Sequence, residues 1–426
     1  MLRIATTTSR TILGCGLVLA MFGALDGAQA SSFQVLYTFQ NGNDGAQPVG
    51  GLIEDAGGNL LGTTTRGGKE EGGGTVFKIA PDGTLSTVYA FGNYDGDASM
   101  PYAGLIIDGS GNLYGTTDAG GIDGYGTVFK IAPGGNETVL YSFQSGPTDG
   151  RAPGAGVIMD ASGNLYGTTT VGGISNCAPY YSCGTVFKLA PDGTETVLYT
   201  FCKQTNCTDG ANPYGGLIED GAGNLYGTTS RGGANNDGAV FKVAANGTET
   251  VLYSFCSRAN CSDGGVPYSG LIQDAGGNFY GTTVSGGSVA GTCRNDGCGT
   301  VFKLAPDGTE TVLHAFSGYP GDGRAPYAGV IADSSGNLYG TTYNGGPAKK
   351  HNGFGVVFEL SPSGRETVLK SFSNKARQVD GLLPYAGLFL DGAGNLYGTT
   401  VSGGPKCTKG VAFPRFGCGT VFKISN

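Results

Sequence analysis

The segment that decides the fold reads Asp-Gly-Ser-Gly-Asn-Leu-Tyr-Gly-Thr-Thr at residues 108–117, followed by Gly-Thr-Val-Phe-Lys-Ile at residues 126–131. Each copy has an aspartate four residues before its asparagine, and a Gly-Gly pair and a Gly-Thr-Val-Phe variant after it. Such self-similarity indicates a repeat architecture. Seven copies, spaced 52 to 60 residues apart, begin at Asn59, Asn112, Asn164, Asn224, Asn278, Asn337 and Asn395.

Each repeat contains four short segments typical of β-strands. In the second repeat they cover residues 103–107, 112–116, 127–131 and 138–143. They are rich in β-branched and aromatic residues and are bounded by Gly, Asp, Asn or Pro. No segment shows a sustained helical period. Seven units of four strands predict an all-β fold, a seven-bladed β-propeller with four antiparallel strands per blade.

The two ends of the chain predict how the ring closes. Residues 33–39 match the fourth strand of a repeat, and residues 421–424 match a third strand. We therefore expect the N-terminal strand to complete the last blade, which removes exposed sheet edges. A glycine three residues after a proline recurs at the first strand of every repeat. Small residues suit the crowded axis, so we expect this strand to be innermost.

The N-terminus predicts export. Arg3 and Arg10 precede an apolar run at residues 12–25, and Ala28-Gln29-Ala30 suits cleavage by signal peptidase. We therefore predict a signal peptide at residues 1–30, a propeller domain at residues 31–426, and a secreted, periplasmic or cell-surface location. No other stretch is apolar enough to span a membrane. The net charge of −8, without basic runs, argues against nucleic-acid binding. We expect a monomer.

Alternating strands predict two unequal faces. One face receives only tight turns, whereas the other receives loops of variable length between the second and third strands and between blades. Function usually lies on variable loops held by a rigid scaffold, so the second face is the candidate binding face.

The cysteines lie in loops of the candidate binding face. Setting Cys15 aside, they occur as near neighbours, and local pairing with a signal peptide predicts disulfides. A metal cluster is disfavoured, because the chain has no Cys-x-x-Cys and only His314 and His351 as histidines. We therefore expect no cofactor and no metal site, with Ca²⁺ as the one ion that the aspartates described next could bind. The predicted pairs are Cys177 with Cys183, Cys202 with Cys207, Cys256 with Cys261, Cys293 with Cys298, and Cys407 with Cys418.

An aspartate lies four residues before the proline of every first strand. Hard oxygen ligands repeated around a ring could bind Ca²⁺ or a polyol, whereas the alternative is a turn-forming residue that accepts hydrogen bonds from its own backbone. The sequence favours the turn, because one aspartate per blade spreads the charge. These residues are Asp44, Asp97, Asp149, Asp209, Asp263, Asp322 and Asp380.

A tyrosine follows that proline in five repeats. Near a channel mouth these side chains could stack on a sugar ring, and the alternative, which we favour, is packing between blades. Val49 and Gly154 replace the tyrosine in the other two repeats. The tyrosines are Tyr102, Tyr214, Tyr268, Tyr327 and Tyr385.

The sequence favours a non-catalytic binding or scaffold role, with a glycan, a peptide or a cell-envelope component as partner. The alternative is a hydrolase or lyase that acts on extracellular carbohydrate, or a lactonase. No Ser-His-Asp set is evident, and the acids repeat with the blades. An enzyme should instead place unique polar residues of one blade on the axis, whereas a lectin-like binder should show equivalent sites around the ring.

The units Gly-Asn-Leu-Tyr-Gly-Thr-Thr-x-x-Gly-Gly and Gly-Thr-Val-Phe-Lys resemble the GloVer tandem repeat of secreted bacterial proteins, named after Gloeobacter and Verrucomicrobium. The resemblance covers nearly all of residues 31–426 and implies an exported bacterial protein. It supplies no established activity or catalytic residues. The phrase Asp-x-x-Gly-Asn-Leu-Tyr is also similar to NHL-type propellers, which implies a binding platform at the level of the fold alone.

Overall fold

The computed structural model describes residues 32–68, 72–92, 95–174, 183–287, 293, 297–318, 320–347, 353–373, 380–404 and 417–425. They form seven four-stranded antiparallel sheets, each one blade of a β-propeller, as the repeat predicts. The predicted signal peptide at residues 1–30 lies outside the described residues and stays a prediction. Within the described residues, the structure has no helix with the length and hydropathy of a membrane-spanning segment.

Each blade consists of four strands, numbered one to four from the axis outward. The first strands are Ile53–Glu54, Ile106–Ile107, Ile158–Met159, Ile218–Glu219, Ile272–Gln273, Ile331–Ala332 and Phe389–Leu390. The second strands are Leu60–Thr64, Leu113–Thr117, Leu165–Thr169, Leu225–Thr229, Phe279–Thr283, Leu338–Thr342 and Leu396–Thr400. The third strands are Thr75–Ile79, Thr127–Ile131, Thr185–Leu189, Ala239–Val243, Thr300–Leu304, Val356–Leu360 and Thr420–Ser425. The fourth strands are Leu85–Ala90, Glu137–Ser142, Glu195–Thr200, Glu249–Ser254, Glu310–Ala315, Glu366–Ser371 and, for blade seven, Ser32–Thr38.

Shorter elements lie in the loops. Three two-residue ladders pair an inter-blade loop with the loop that follows the second strand, and two 3-10 turns lie in the loops into blades four and five. The ladders join Ala98–Ser99 to Ala119–Gly120, Gly150–Arg151 to Val171–Gly172, and Gly323–Arg324 to Asn344–Gly345. The 3-10 turns are Thr205–Cys207 and Ala259–Cys261.

The first strands are shorter than the sequence predicts. In blade two we expected pairing over residues 103–107, but only Ile106–Ile107 pair with the second strand. The preceding residues lie against the neighbouring blade, and a Cβ on Gly50 would lie 2.5 Å from the carbonyl oxygen of Ala103. That carbonyl accepts a hydrogen bond of 2.9 Å from the Thr63 hydroxyl of blade one. Crowding at the axis thus replaces ladder pairing with contacts between blades.

The N-terminal strand closes the ring, as predicted. Ser32–Thr38 pairs antiparallel with Thr420–Ser425, with Phe33 opposite Ile424. The last sheet therefore contains both ends of the described chain. This pairing occupies the edge that the third strand of blade seven would otherwise expose.

Phenylalanine pairs form the core between blades. A phenylalanine after each fourth strand packs against the third-strand phenylalanine of the next blade, and Phe39 meets Phe77 with ring centroids 5.1 Å apart. The same contact recurs around the ring at 4.9 to 5.5 Å. Gly62 makes room for one ring, since a Cβ there would lie 2.6 Å from Cζ of Phe77. The glycine of the Tyr-Gly-Thr-Thr phrase is therefore a packing requirement.

Candidate functional site

A cavity of about 470 Å³ lies on the axis at the loop face. Its walls are the inner segments that begin each blade, together with Asp118 from the loop after a second strand. All five sequence-predicted tyrosines line it, and Val49 and Gly154 occupy the equivalent positions of the other two blades. The structure thus brings together side chains that are spread over almost 300 residues of sequence.

Four of the tyrosines form a continuous aromatic arc on blades four to seven. Ring centroids are 4.8 Å apart for Tyr214 and Tyr268, 5.4 Å for Tyr268 and Tyr327, and 5.0 Å for Tyr327 and Tyr385. Tyr343 packs edge-on against Tyr327 at 5.5 Å. Tyr102 and Tyr214 expose 39% and 37% of their surface. The arc therefore forms an aromatic wall of the cavity, and both alternatives for these tyrosines, packing between blades and stacking on a sugar, stay predictions.

The backbone before each tyrosine is held by the preceding blade. In blade six, Ala325 precedes the proline with a φ of 54°, and its N–H donates to the carbonyl of Cys298 at 2.9 Å. Pro326 packs on Gly299, where a Cβ would meet the proline Cδ at 2.7 Å. All seven residues before these prolines share the positive φ. A non-glycine residue with positive φ costs free energy and persists only where its surroundings hold it, so contacts with two blades anchor each of these segments.

Asp118 breaks the symmetry of the cavity. It follows the two threonines of its repeat, where the other blades carry Thr65, Thr170, Ser230, Val284, Tyr343 and Val401. Among the described residues that line the cavity it is the only carboxylate. Burial raises the pKa of Asp118. Sequence reasoning missed this residue, although comparing the position after Thr-Thr across the seven repeats would have found it.

The tyrosine hydroxyls lie within electrostatic reach of one another. Burial, followed by the neighbouring hydroxyls of Tyr327, Tyr102, Tyr268 and Tyr214, raises the pKa of Tyr385. Burial and then Tyr268 and Asp118 raise the pKa of Tyr214. These phenols therefore stay neutral at physiological pH and can both donate and accept hydrogen bonds.

The seven predicted aspartates do not meet at the axis. Each carboxylate accepts a hydrogen bond from the side chain near the end of the preceding fourth strand, as Asp209 does from the Tyr199 hydroxyl at 2.8 Å. Asp209 also accepts from the Lys203 N–H, and Asp149 likewise accepts from the Gln144 N–H. The partners of the other aspartates are Tyr37 for Asp44, Tyr89 for Asp97, Tyr141 for Asp149, Tyr253 for Asp263, His314 for Asp322 and Lys370 for Asp380. The favoured turn-forming role of these aspartates and the alternative, binding of Ca²⁺ or a polyol, both stay predictions.

Three predicted disulfides are present in the loops of this face. They join Cys202 to Cys207, Cys256 to Cys261, and Cys293 to Cys298. Cys183 and Cys418 are also disulfide-bonded. Their predicted partners, Cys177 and Cys407, lie outside the described residues.

The family model of the Gloeobacter/Verrucomicrobia repeat matches residues 22–181, 74–293 and 178–413. No curated protein matches the chain. Among solved structures, virginiamycin B lyase from Staphylococcus aureus superimposes with a TM-score of 0.55 at 13% identity, covering 93% of this chain and 99% of its own. At these identities the likeness shows the fold alone.

Two further solved structures with similar folds belong to proteins that are longer than this chain, so the match covers only part of each. PorZ, a surface component of the type-IX secretion system of Porphyromonas gingivalis, gives a TM-score of 0.48 at 16% identity, over 88% of this chain and 46% of its own. A puromycin hydrolase gives 0.46 at 14% identity, over 85% of this chain and 51% of its own.

Proposed function

Because the chain belongs to the Gloeobacter/Verrucomicrobia repeat family and carries a tyrosine-lined cavity on its axis, we propose that it is an exported protein that binds a glycan in this cavity. The observation that carries the proposal is the convergence of five tyrosines from five blades on one space. Disulfides in the loops support export, since they persist in oxidising compartments.

The chemistry of the cavity suits a sugar. Tyrosine offers an apolar face that packs on the C–H face of a pyranose ring and a hydroxyl that hydrogen-bonds to its hydroxyls. Most of the lining is glycine and alanine backbone, which leaves room for a ligand between the aromatic side chains. A volume of about 470 Å³ falls in the usual range for small-ligand sites and fits one or two sugar rings.

Rigidity supports binding as well. Stacked tyrosine rings and two-blade anchoring of the backbone fix the arc before any ligand arrives. A preformed site loses little conformational entropy on binding. The glycan is the occupant we favour over a peptide, because the wall presents phenols and the cavity contains a single carboxylate among its described lining residues.

A glycan array followed by calorimetry tests the proposal. The exported form, residues 31–426, should bind at least one glycan class, and Tyr327→Ala should lower its affinity about tenfold or more, as loss of a central aromatic contact does. Tyr280→Phe is the control, because its hydroxyl bonds Asp274 on the opposite face, and it should leave affinity unchanged. The proposal would be refuted if no glycan on the array bound the protein, or if Tyr327→Ala left the affinity unchanged.

Asp118 favours a second candidate, a hydrolase or lyase. It is a unique polar residue on the axis, which is what an enzyme of this architecture should show, and its raised pKa suits proton transfer. Glycosidases usually need two carboxylates, and the described lining offers one, so binding remains the first proposal. If the protein is an enzyme, the wild type should turn over a glycoside or lactone. Asp118→Asn should abolish this turnover and leave the affinity for the ligand unchanged.

A further inference from the structure

The interface between blades five and six differs chemically from the others. At five interfaces a tyrosine hydroxyl near the end of the fourth strand donates to the aspartate of the following loop, as Tyr253 does to Asp263 at 2.8 Å. At the interface of blades five and six, His314 takes the tyrosine's place, and its Nε2 lies 3.4 Å from Oδ1 of Asp322. The repeat thus replaces a hydroxyl donor with an imidazole, which can offer a lone pair to a metal.

A third side chain completes the cluster. Glu366, the first residue of the fourth strand in blade six, directs a carboxylate toward the same point. Its Oε1 is buried and has no hydrogen-bond partner among the described residues. One ligand atom each from His314, Asp322 and Glu366 lies within 4.8 Å of the other two. The equivalent Glu195 and Glu249 also have a buried Oε1 without a hydrogen-bond partner among the described residues, so the imidazole of His314 is what distinguishes this cluster from the other interfaces.

The distance between His314 and Asp322 suits a shared divalent ion as well as it suits a long hydrogen bond. At 3.4 Å, the contact between His314 and Asp322 is longer than the usual range of about 2.7–3.2 Å for N–H···O. A tetrahedral Zn²⁺ with bonds of about 2.0–2.1 Å separates its ligand atoms by about 3.3 Å.

The surrounding contacts already orient the ligands. Asp322 accepts hydrogen bonds from the N–H and hydroxyl of Ser317 and from the N–H of Gly323, at 2.6, 2.8 and 2.6 Å. The ring of Phe316 packs edge-on against His314 with centroids 4.8 Å apart. Side chains of His314 and Asp322 remain 19% and 15% exposed, so an ion can reach them. Such outer contacts are typical of metal sites.

We infer that His314, Asp322 and Glu366 bind one Zn²⁺ ion that clamps blades five and six together. One imidazole and two carboxylates form a ligand set that Zn²⁺ accepts, and the two negative charges neutralise the ion. The fourth position would hold water. The site joins the fourth strands of two blades through the loop between them, so occupancy should stabilise the ring.

Titration of the tag-free, disulfide-intact protein with Zn²⁺ tests the inference. Calorimetry should give a stoichiometry near one ion per chain, and the melting temperature should rise with Zn²⁺ and saturate, as expected for a ligand that binds only the folded state. X-ray absorption of the loaded protein should show nitrogen and oxygen ligands without sulfur.

Two variants and a control make the result specific. His314→Tyr restores the residue that five other interfaces use, so it should fold and lose this Zn²⁺, and Glu366→Gln should weaken Zn²⁺ binding about tenfold or more. His351→Ala, which removes the other histidine, should bind as the wild type does. Unchanged Zn²⁺ affinity in both His314→Tyr and Glu366→Gln, sulfur ligation, or loss of binding in His351→Ala would overturn the inference.

Discussion

Single aspartates fix the turns between first and second strands. Asp220 accepts hydrogen bonds from the backbone and side chain of Asn224, from the N–H of Ala222 and from the Tyr226 hydroxyl. Burial opposes ionisation of this carboxyl, but these hydrogen bonds outweigh it and lower the pKa of Asp220 to about 2. The recurrence of Asp and Asn in all seven repeats, with the tyrosine in six of them and Leu61 in the first, therefore reflects one hydrogen-bonded turn made seven times.

We predict that Asp220→Ala lowers the free energy of unfolding by about 1–2 kcal/mol, because several donors lose one acceptor. Chemical denaturation of residues 31–426 measures this. Asp192→Ala is the control, since Asp192 is exposed and accepts from the N–H of Thr194 in a turn between third and fourth strands. An equal effect of both substitutions would show that the network around Asp220 adds nothing.

Residue patterns also show the limit of sequence reasoning at this scale. The tyrosines were identified as site candidates because they repeat, whereas Asp118 escaped notice because it does not. Glu366 was not identified for another reason. A glutamate occupies the equivalent position in most blades, and only His314 across the interface distinguishes Glu366 from the others. Residues that recur in every repeat reveal what the fold needs. A functional site depends on residues that break the repeat pattern, and the sequence does not show which residues contact them in the folded protein.

Among the elements, the N-terminal strand has the largest consequence. It supplies the fourth strand of blade seven, and Phe39 continues the aromatic ring to Phe77 of blade one. The sequence predicted this pairing because the two ends of the chain are complementary parts of one repeat.

Deleting residues 31–39 should open the ring. The deletion removes both the strand paired with Thr420–Ser425 and the Phe39 contact, whose loss alone costs about 3–5 kcal/mol in a typical core. We expect a lower melting temperature, a larger hydrodynamic radius and aggregation through the exposed edge. Phe39→Ala and Phe143→Ala form a matched pair of substitutions, because Phe143 makes the same contact at an internal interface. A deletion variant that stays compact and stable would contradict ring closure by this strand.

The cysteine loops are the second element with a testable role. Cys202 and Cys207 close a short loop that contains the 3-10 turn Thr205–Cys207 and supplies N–H donors to Asp209. The bridge limits the unfolded ensemble and shapes this loop.

Replacing both Cys202 and Cys207 with serine should lower the free energy of unfolding by about 2 kcal/mol, the effect expected for a short loop. Calorimetry under oxidising conditions measures it, and glycan affinity should stay within about twofold because the bridge lies away from the cavity. Treating the wild type with a reductant should reproduce the loss of stability. No change in melting temperature in either case would show that the bridge is not stabilising.

At the scale of the whole molecule, titrating carboxyls set the pH range of greatest stability. Burial, then the Asp149 charge, raises the pKa of Glu195 to about 7, and burial, then Asp209, raises that of Glu249 to about 7. The folded state therefore keeps protons that the unfolded chain loses near pH 4.3, and the free energy of unfolding falls as pH rises between about 4.5 and 7. The turn aspartates, exemplified by Asp220, act oppositely below about pH 4.

We expect the melting temperature to be highest near pH 4–5 and to decline toward pH 8. Scanning calorimetry at constant ionic strength measures the profile. The double variant Glu195→Gln, Glu249→Gln should lose less unfolding free energy than the wild type as pH rises. The difference should be about 1 kcal/mol per residue after allowance for solvent screening. A melting temperature that rises steadily from pH 5 to pH 8 would contradict the assignment.

The amino-acid sequence by itself determined the number of blades, the strand order, the closure of the ring and the separation of tight turns from variable loops. It could do so because backbone turns and strand pairing depend on residues that are close in the repeat. Only the tertiary structure decided that Tyr102, Tyr214, Tyr268, Tyr327 and Tyr385 share one cavity with Asp118, and that His314 faces Glu366. These contacts join different blades, and their geometry is set by the curvature and crowding of the closed ring, which no single repeat encodes.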